Sequence, residues 1–154
     1  MPLAVENPTA ESFAPFGRFV AAPADEPDAV GDPWRWWAQT AVLDRGERPY
    51  AVGYLEVDAG RSGFDWAERH RESEEMVIPV AGELLLYAAA PDPDDFRVFR
   101  LRPGQAVVLG KGVWHGAPLA AGGPASAIVL LAERTGELDT DKVSFEELTV
   151  EGGL

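Results

Sequence analysis

One stretch in the middle of the chain decides the predicted fold. It begins with Glu68-Arg69-His70-Arg71-Glu72-Ser73-Glu74-Glu75-Met76-Val77-Ile78-Pro79-Val80-Ala81-Gly82 and ends with Pro103-Gly104-Gln105-Ala106-Val107-Val108-Leu109-Gly110-Lys111-Gly112-Val113-Trp114-His115. The chain has two histidines. They stand at the two ends of this stretch, each beside a run of branched apolar residues that favours a β-strand. If the strands close into a barrel, the two histidines can meet, and this placement is the main indication of a functional site.

The length and composition predict one domain. A chain of 154 residues is long enough to bury a hydrophobic core without disulfides or a structural metal, so we expect a single domain over residues 1–154. The sequence contains no cysteine, which excludes disulfides, thiolate metal sites and cysteine nucleophiles. Any metal ion would therefore be held by histidine, aspartate, glutamate or water.

The charge of the chain limits its partners. The formal net charge is −13, from 13 basic and 26 acidic residues. Such a charge repels nucleic-acid phosphates and anionic lipid head groups, so we expect neither nucleic acid nor a membrane as a partner. No apolar run has membrane-spanning length, and the first residues lack the features of a signal peptide. The sequence predicts a soluble cytoplasmic protein that acts on a small molecule.

The apolar runs and turn residues predict an all-β fold, either a closed barrel or a two-sheet jelly roll. Strands are expected at residues 18–20, 34–43, 49–57, 96–101, 105–109 and 125–132. A hairpin is expected at residues 74–90 with its turn at Ala81-Gly82, and another turn at Arg102-Pro103-Gly104. Thr9 is placed to cap a short N-terminal helical turn. Residues 21–33 have a loop composition, and the acidic tail from residue 135 is expected to form an edge strand or a short helix.

The first histidine follows a glutamate at strand spacing. Residues two apart in a strand point to the same face, so Glu68 and His70 can share an inward face. Glu74 and Glu75 are adjacent and must face opposite sides, so only one of them can join this pair. With His115 supplied by a neighbouring strand, these carboxylate and imidazole groups would suit a divalent ion such as Mn, Fe, Ni or Zn.

Both ends of the stretch resemble the two sequence motifs of the cupin superfamily. In the first motif, a His-x-His pair is followed by Glu and then by Gly. Its second His, Glu and Gly match His70, Glu75 and Gly82, and Glu68 replaces the first His. The residues that match the second motif are Gly104, Gly110-Lys111-Gly112 and His115. The resemblance implies a cupin-type jelly-roll β-barrel, to which the short helical turn is added at the N-terminus.

A closer resemblance is to the ureidoglycolate lyase family, which is of cupin type. The residues that carry it are Phe13-Ala14-Pro15-Phe16-Gly17, Glu68-Arg69-His70, Ile78-Pro79, Gly82, Arg102-Pro103-Gly104-Gln105, Gly112-Val113-Trp114-His115, Pro118-Leu119 and Glu133-Arg134. This resemblance implies a homodimeric barrel and a carbon–nitrogen lyase. The enzyme would cleave ureidoglycolate to glyoxylate and urea, a reaction of allantoin degradation in purine catabolism.

The resemblance also implies roles for the residues of the stretch. Glu75, His115 and His70 would be catalytic, with Glu75 or His115 as the base that removes the hydroxyl proton of the substrate. A divalent metal ion would be held by Glu68, His70, Glu75 and His115, and it would polarise substrate oxygens.

Three further residues are candidates for substrate binding. Lys111 or Arg69 would bind the substrate carboxylate, and Trp36 would form part of the pocket wall. Each has a structural alternative. Lys111 lies between two glycines, where an exposed turn residue is common, Arg69 can pair with surface acids, and an aromatic strand such as that around Trp36 often serves as core or interface.

Departures from the family pattern leave the substrate open. The family usually has Ser or Thr followed by Gln where this chain has Glu74-Glu75, and a second His where it has Gly116. The site thus gains an acid and loses polar donors, and a pocket for an anionic substrate needs a metal or another cation to offset that charge. Two other functions fit the same residues: a metal-dependent cupin oxygenase or isomerase, and a non-catalytic cupin that binds a small molecule.

Overall fold

The computed structural model describes residues 1–152; residues 153 and 154 of the predicted domain lie outside the described residues. The helices are α1 (Ala10–Phe13) and α2 (Thr135–Leu138). The strands are β1 (Val5–Glu6), β2 (Gly17–Val20), β3 (Ala29–Val30), β4 (Arg35–Trp36), β5 (Tyr50–Val57), β6 (Gly63–Arg69), β7 (Glu75–Ala89), β8 (Arg97–Leu101), β9 (Ala106–Leu109), β10 (Trp114–His115), β11 (Leu119–Ala132) and β12 (Asp141–Thr149). No helix among the described residues is long and apolar enough to cross a membrane.

The long strand β7 lies at the centre of the sheet. Different parts of it pair with β8, β9, β10 and β11, in each case antiparallel. From these neighbours the sheet continues through β11 to β5 and through β10 to β6 and β12. Ten strands belong to this sheet, and β3 and β4 form a separate pair. The predicted all-β jelly-roll barrel is confirmed.

The hairpin predicted at residues 74–90 is wrong, because the chain continues through Ala81-Gly82 as one strand. Gly82 has a φ of 69°, and the register with β11 shifts beside it. Pro79 pairs with Ala127 and Ala81 pairs with the adjacent Ser126, so Val80 has no opposite residue in β11. Strand β7 therefore contains a β-bulge just before Gly82, which bends the strand without reversing it. Because of the extra residue, odd-numbered residues before the bulge and even-numbered residues after it point to the same face of the sheet. Val77 before the bulge and Leu84 and Leu86 after it all belong to one core cluster, although their numbers are odd and even.

The strand predicted at residues 34–43 is also mostly wrong. Only Arg35–Trp36 is extended and paired, with Ala29–Val30 inside the predicted loop. The apolar residues of this segment do not reach the ten-stranded sheet. Trp36 is 58% exposed and Val42 is 65% exposed. High β-propensity without a strand edge to pair with does not make a strand. The segment instead follows the barrel surface, where the Arg18 guanidinium donates to the Val42 carbonyl.

Most of the other local predictions agree with the structure, although the strand predicted at residues 125–132 begins earlier, at Leu119. Thr9 caps α1 by accepting from the Ser12 backbone N–H, and the Ser12 side chain accepts from the Thr9 N–H in return. The turn at residues 102–104 separates β8 from β9, each of which pairs with a different part of β7. The acidic tail contains both predicted elements, because α2 leads into β12, which pairs with β6.

Two hydrophobic clusters pack against opposite faces of β7. Leu84, Leu86 and Ala88 belong to the first cluster, which also contains Phe13 of α1. The alternating residues Leu85, Tyr87 and Ala89 belong to the second cluster. A strand that is apolar on both faces is buried on both. Glu75, the polar group that β7 itself contributes to the functional site, lies at the N-terminal end of this strand, before the bulge.

We predict that Gly82→Ala destabilises the protein by about 1–3 kcal/mol, because it combines left-handed backbone strain with steric overlap. A methyl group at residue 82 would lie 2.5 Å from the Pro124 carbonyl oxygen. Gly104→Ala is the matched control, since Gly104 has a φ of 92° but a methyl group there would meet no atom within 4 Å. Free energies of unfolding in urea should show the larger loss for Gly82→Ala. Equal losses would contradict a role for the close approach.

Candidate functional site

Strand pairing brings the two ends of the central stretch together. His115 on β10 lies directly opposite Glu68 on β6 and opposite Ala88 on β7. Glu68, His70 and His115 each direct one potential ligand atom to a common point, and these three atoms lie within 4.8 Å of one another. The two imidazole rings meet edge to face with their centroids 5.0 Å apart. The predicted meeting of the two histidines is therefore present in the structure.

The hydrogen bonds of the two imidazole rings define their tautomers. The Nδ1 of His70 lies 2.9 Å from the Asp139 carbonyl oxygen, and the Nδ1 of His115 lies 3.0 Å from the Val113 carbonyl oxygen. A carbonyl oxygen can only accept, so in both rings Nδ1 carries the hydrogen and donates. Each ring is then left with the Nε2 lone pair, which is the atom that faces the site.

The carboxylate of Glu75 lies against both Nε2 atoms. Its Oε2 is 2.7 Å from Nε2 of His115 and 3.7 Å from Nε2 of His70. The neighbouring Glu74 faces the other side of the strand and forms an ion pair with Arg18 at 2.7 Å. The two adjacent glutamates therefore point in opposite directions, as the strand period predicts, and Glu75 is the one that joins the site.

Burial and charge act in opposite directions on this pair. Burial alone would raise the pKa of Glu75, but the contact with His115 and the charges of both imidazoles lower it below the ordinary 4.5. Burial alone would lower the pKa of His115, but the contact and charge of Glu75 raise it above the ordinary 6.5. Without a metal, the pair is therefore a carboxylate beside an imidazolium over the weakly acidic range.

The donor set fits a divalent metal ion. Ligand atoms about 2 Å from one ion lie at most about 4 Å apart, so Glu68, His70 and His115 need only a small contraction to share one. The Nε2 of His115 is buried, and its contact with Glu75 lacks hydrogen-bond geometry, so this nitrogen has no satisfied partner in the protein. Two imidazoles with Nδ1 bound to carbonyl oxygens are also the usual form of metal-binding histidines.

A cavity of about 250 Å³ opens beside these groups. Glu68, Glu75 and His115 form its polar part. The remaining lining residues are Gly53, Tyr54, Leu55, Trp66, Val77, Gly116, Ala117, Pro118, Val129 and Leu131. The cavity therefore presents an apolar wall and a few converging polar groups to a small ligand, as binding sites commonly do. A larger cavity of about 700 Å³ lies between surface loops and contains none of the predicted site residues.

Gly116 in this cavity is explained by its neighbour Tyr87. A methyl group at residue 116 would overlap the Tyr87 hydroxyl, which donates to the Trp66 carbonyl oxygen at 2.8 Å. Tyr87 is buried, and burial together with the nearby charges of Glu68 and Asp65 raises the pKa of its phenol. The tyrosine thus occupies the space that a side chain at residue 116 would need, and it stays protonated.

The three predicted substrate-binding residues lie away from this cavity. Lys111 is exposed and forms an ion pair with Asp44 at 2.6 Å. Arg69 points to the other face of β6, where it stacks over the Trp114 ring and pairs with Asp141. Trp36 lies on the exposed strand β4. None of the three is among the lining residues, and their role in substrate binding stays a prediction.

The structure adds two residues that the sequence pattern did not single out. Asp139 follows α2 and Thr140 precedes β12, and both contact Nδ1 of His70. Their positions in an acidic tail gave no chemical signal, because they lie 69 and 70 residues from the histidine along the chain. Pairing of β12 with β6 brings them to the site, which a period-two strand pattern cannot predict.

The barrel has the cupin-type jelly-roll fold, and the cluster of Glu68, His70 and His115 could hold a metal ion. The chain belongs to the ureidoglycolate lyase family, whose model matches residues 1–151. A ureidoglycolate lyase from Rhodobacter capsulatus is 32% identical to it over 144 residues, which cover 79% of this chain and 81% of the relative. The family predicted from the sequence is confirmed.

Solved structures resemble the chain in fold. A dTDP sugar isomerase from Desulfovibrio desulfuricans G20 superimposes with a TM-score of 0.57 at 15% identity, covering 86% of this chain and 87% of that one. An oxalate decarboxylase from Bacillus subtilis gives a TM-score of 0.47 at 15% identity over 63% of this chain. The chain spans only 24% of the length of that decarboxylase.

The Glu75–His115 pair predicts a pH dependence of stability in the metal-free protein. The lowered pKa of Glu75 stabilises the fold above about pH 4.5, and this gain is lost as the pH falls through the folded value. The raised pKa of His115 stabilises the fold below about pH 6.5, and this gain is lost as the pH rises through the folded value. The pair should therefore stabilise most between these pH values.

Free energies of unfolding of the wild type and Glu75→Gln, measured across about pH 3–9, test this expectation, because this range extends beyond the ordinary pKa values of both groups. Glu74→Gln is the control, since it leaves the Glu75–His115 pair intact. The difference between the wild type and Glu75→Gln should be largest between about pH 4.5 and 6.5. A difference that is constant with pH would show that the pair does not titrate as described.

Proposed function

We propose that this protein is a carbon–nitrogen lyase that cleaves ureidoglycolate to glyoxylate and urea, in the degradation of allantoin and so of purines. The observation that carries the proposal is the partly buried Glu75 carboxylate, held 2.7 Å from Nε2 of His115 at the edge of a small cavity. Membership of the ureidoglycolate lyase family supports this choice of reaction.

Glu68, His70 and His115 would hold a divalent ion, of which Ni, Mn, Fe and Zn are the candidates. When bound, such an ion supplies a Lewis acid that polarises the hydroxyl or carboxylate oxygens of a substrate. The cavity charge supports this assignment. None of the described residues that line the cavity is a lysine or an arginine, whereas two are glutamates. An anionic substrate therefore needs a positive charge that the lining side chains do not provide.

The tautomers restrict which residue can move a proton. Because Nδ1 of each histidine donates to a carbonyl oxygen, only Nε2 of each neutral ring has a free lone pair. A nitrogen that ligates a metal cannot at the same time accept a proton, so His70 and His115 act as ligands in this proposal. Glu75 remains as the base. In the metal-free protein, the contact with His115 and the charges of both imidazoles lower the pKa of Glu75, so it is ionised near neutral pH.

The proposed reaction needs one base that returns its proton. Glu75 accepts the proton of the substrate hydroxyl, and the oxygen electrons form the carbonyl of glyoxylate. The bond between carbon and the ureido nitrogen breaks, and its electron pair goes to that nitrogen. Glu75 then gives the proton to the nitrogen, which releases urea, so that no proton is gained or lost overall.

A second function is favoured by the ligand set itself. Two histidines and one carboxylate on one side of an ion are the ligands of non-haem iron oxygenases, and Glu68, His70 and His115 form such a set. Oxygen uptake with iron loaded would distinguish an oxygenase from the lyase, which needs no oxygen. Binding of a small acid without turnover would instead indicate a non-catalytic cupin.

We also propose that the protein is a homodimer, as the family resemblance implies. Strand β5 has β11 as its partner and exposes apolar side chains on its outer face, including Val52 at 72% and Tyr54 at 65% exposure. An exposed face that is mostly apolar, with Glu56 at one end, suits the centre of an interface between two acidic copies. The mass in solution by light scattering tests this. The cytoplasmic location remains a prediction.

The wild type should release urea and glyoxylate from ureidoglycolate in equal amounts. Glu75→Gln should lower kcat by roughly 10²–10⁴-fold, the usual contribution of a general base, while Glu74→Gln should keep activity within about twofold because Glu74 pairs with Arg18 on the opposite face. Urea and glyoxylate are measured in the same reaction. A Glu75→Gln enzyme as active as Glu74→Gln would exclude Glu75 as the base.

Metal analysis of purified variants tests the ligand set separately from activity. His70→Ala and His115→Ala should each lose most of the metal that the wild type binds, because each removes one of three ligands. Glu75→Gln should retain it, since Glu75 acts as the base in this proposal. Loss of metal in Glu75→Gln as well would make Glu75 a ligand, and a fully metal-free active wild type would contradict the metal proposal.

A further inference from the structure

We infer that Asp139 and Thr140, at the junction of α2 and β12, are positioning residues that hold His70 in its metal-binding tautomer and place. The consequence for catalysis rests on the proposed function. The effect on the histidine itself does not, because it is a property of the metal-free protein.

Asp139 holds the chain around His70 at three points. Its backbone carbonyl oxygen accepts from Nδ1 of His70 at 2.9 Å. Its two carboxylate oxygens accept from the backbone N–H groups of Arg71 and Glu72, each at 2.9 Å. One residue thus fixes both the imidazole ring and the two residues that follow it. Charge-assisted hydrogen bonds from a carboxylate to backbone N–H groups are among the stronger ones.

Thr140 completes the hydrogen-bond assignment. Its Oγ1 lies 3.3 Å from Nδ1 of His70 and donates to the Thr135 carbonyl oxygen at 2.7 Å. The hydroxyl hydrogen is therefore used, and Oγ1 can only accept from His70. Two acceptors, the Asp139 carbonyl oxygen and Oγ1 of Thr140, therefore face Nδ1, and neither can donate to it. In the tautomer with hydrogen on Nε2, Nδ1 would itself be an acceptor, in contact with the Asp139 carbonyl oxygen and Oγ1 of Thr140 and with no hydrogen between them. That tautomer is therefore disfavoured.

The junction is itself firmly held. Asp139 is buried, and the Nη2 atom of Arg48 lies 3.8 Å from its carboxylate. Arg48 in turn donates from Nη1 to the Glu133 carbonyl oxygen at 2.6 Å, just before α2. On the other side, β12 starts at Asp141 and pairs in register with β6, where Lys142 lies opposite Glu68. The same strand pairing therefore positions the junction and the strand that carries Glu68.

The experiment compares Asp139→Asn, Thr140→Val and the control Asp141→Asn. Asp141 is two residues away but pairs with Arg69 and Arg71 at the surface, not with His70. The first readout is the ¹⁵N NMR tautomer signature of His70 in the metal-free variants. The second is the affinity for Mn²⁺ and Zn²⁺, measured by competition with a chelator, and thermal unfolding verifies that each variant is folded.

In Asp139→Asn, the side-chain NH₂ group replaces one of the two oxygens that accept from the backbone N–H groups of Arg71 and Glu72. Two donors then face each other, so the segment around His70 shifts. We expect a measurable fraction of the Nε2–H tautomer and a loss of metal affinity of roughly 10–100-fold, the usual effect of removing a partner of a metal-binding histidine. Thr140→Val keeps the side-chain shape and removes one acceptor, so it should cause a smaller change in the same direction. Asp141→Asn should resemble the wild type.

The outcomes separate this inference from the proposed function. The positioning role would be overturned if both test variants kept the His70 tautomer of the wild type and bound Mn²⁺ and Zn²⁺ with affinities within about twofold of those of Asp141→Asn. If Asp139→Asn does not fold, Thr140→Val alone decides between these two results. A changed tautomer in a protein that cannot cleave ureidoglycolate would support the positioning role and reject the lyase, because the NMR readout requires neither substrate nor turnover.

Discussion

The contact between the Glu75 carboxylate and the imidazole of His115 is the interaction on which the site depends. An ionised carboxylate is costly to bury without a partner, and Glu75 begins the central strand, next to Val77 of the core. In the metal-free protein, His115 and His70 supply the positive charge that offsets this burial, and their influence lowers the pKa of Glu75 although burial opposes it. The carboxylate therefore stays ionised in a cavity whose lining is mostly apolar apart from Glu68, Glu75 and His115.

This arrangement requires three strands to be in register. Glu75 is on β7, His115 on β10 and Glu68 on β6, and β10 lies between the other two. The bulge just before Gly82 then lets β7 keep its inner face in the core on both sides of the bend. A one-residue slip in any of these pairs would turn a site residue to the opposite face. The function proposed here is thus a consequence of sheet register as much as of residue type.

Part of this could be predicted from the sequence and part could not. The period of two placed Glu68 with His70 and separated Glu74 from Glu75, because neighbouring strand residues alternate faces. The same local rules misread Ala81-Gly82 as a hairpin turn, since a bulge and a turn use the same glycine conformation. They also predicted a strand at residues 34–43, where apolar side chains find no edge to pair with. Asp139 and Thr140 were not singled out, because their role arises from the pairing of β12 with β6.

A crystal structure of the protein with Mn²⁺ bound, with the ion located by anomalous scattering, would show directly which atoms hold the metal. We expect one ion bound by Nε2 of His70, Nε2 of His115 and the Glu68 carboxylate, with both Nδ1 atoms still donating to the Asp139 and Val113 carbonyl oxygens. Glu75 should lie beside the ion without being a ligand. An ion bound through Nδ1 of either histidine, or bound elsewhere in the protein, would contradict it.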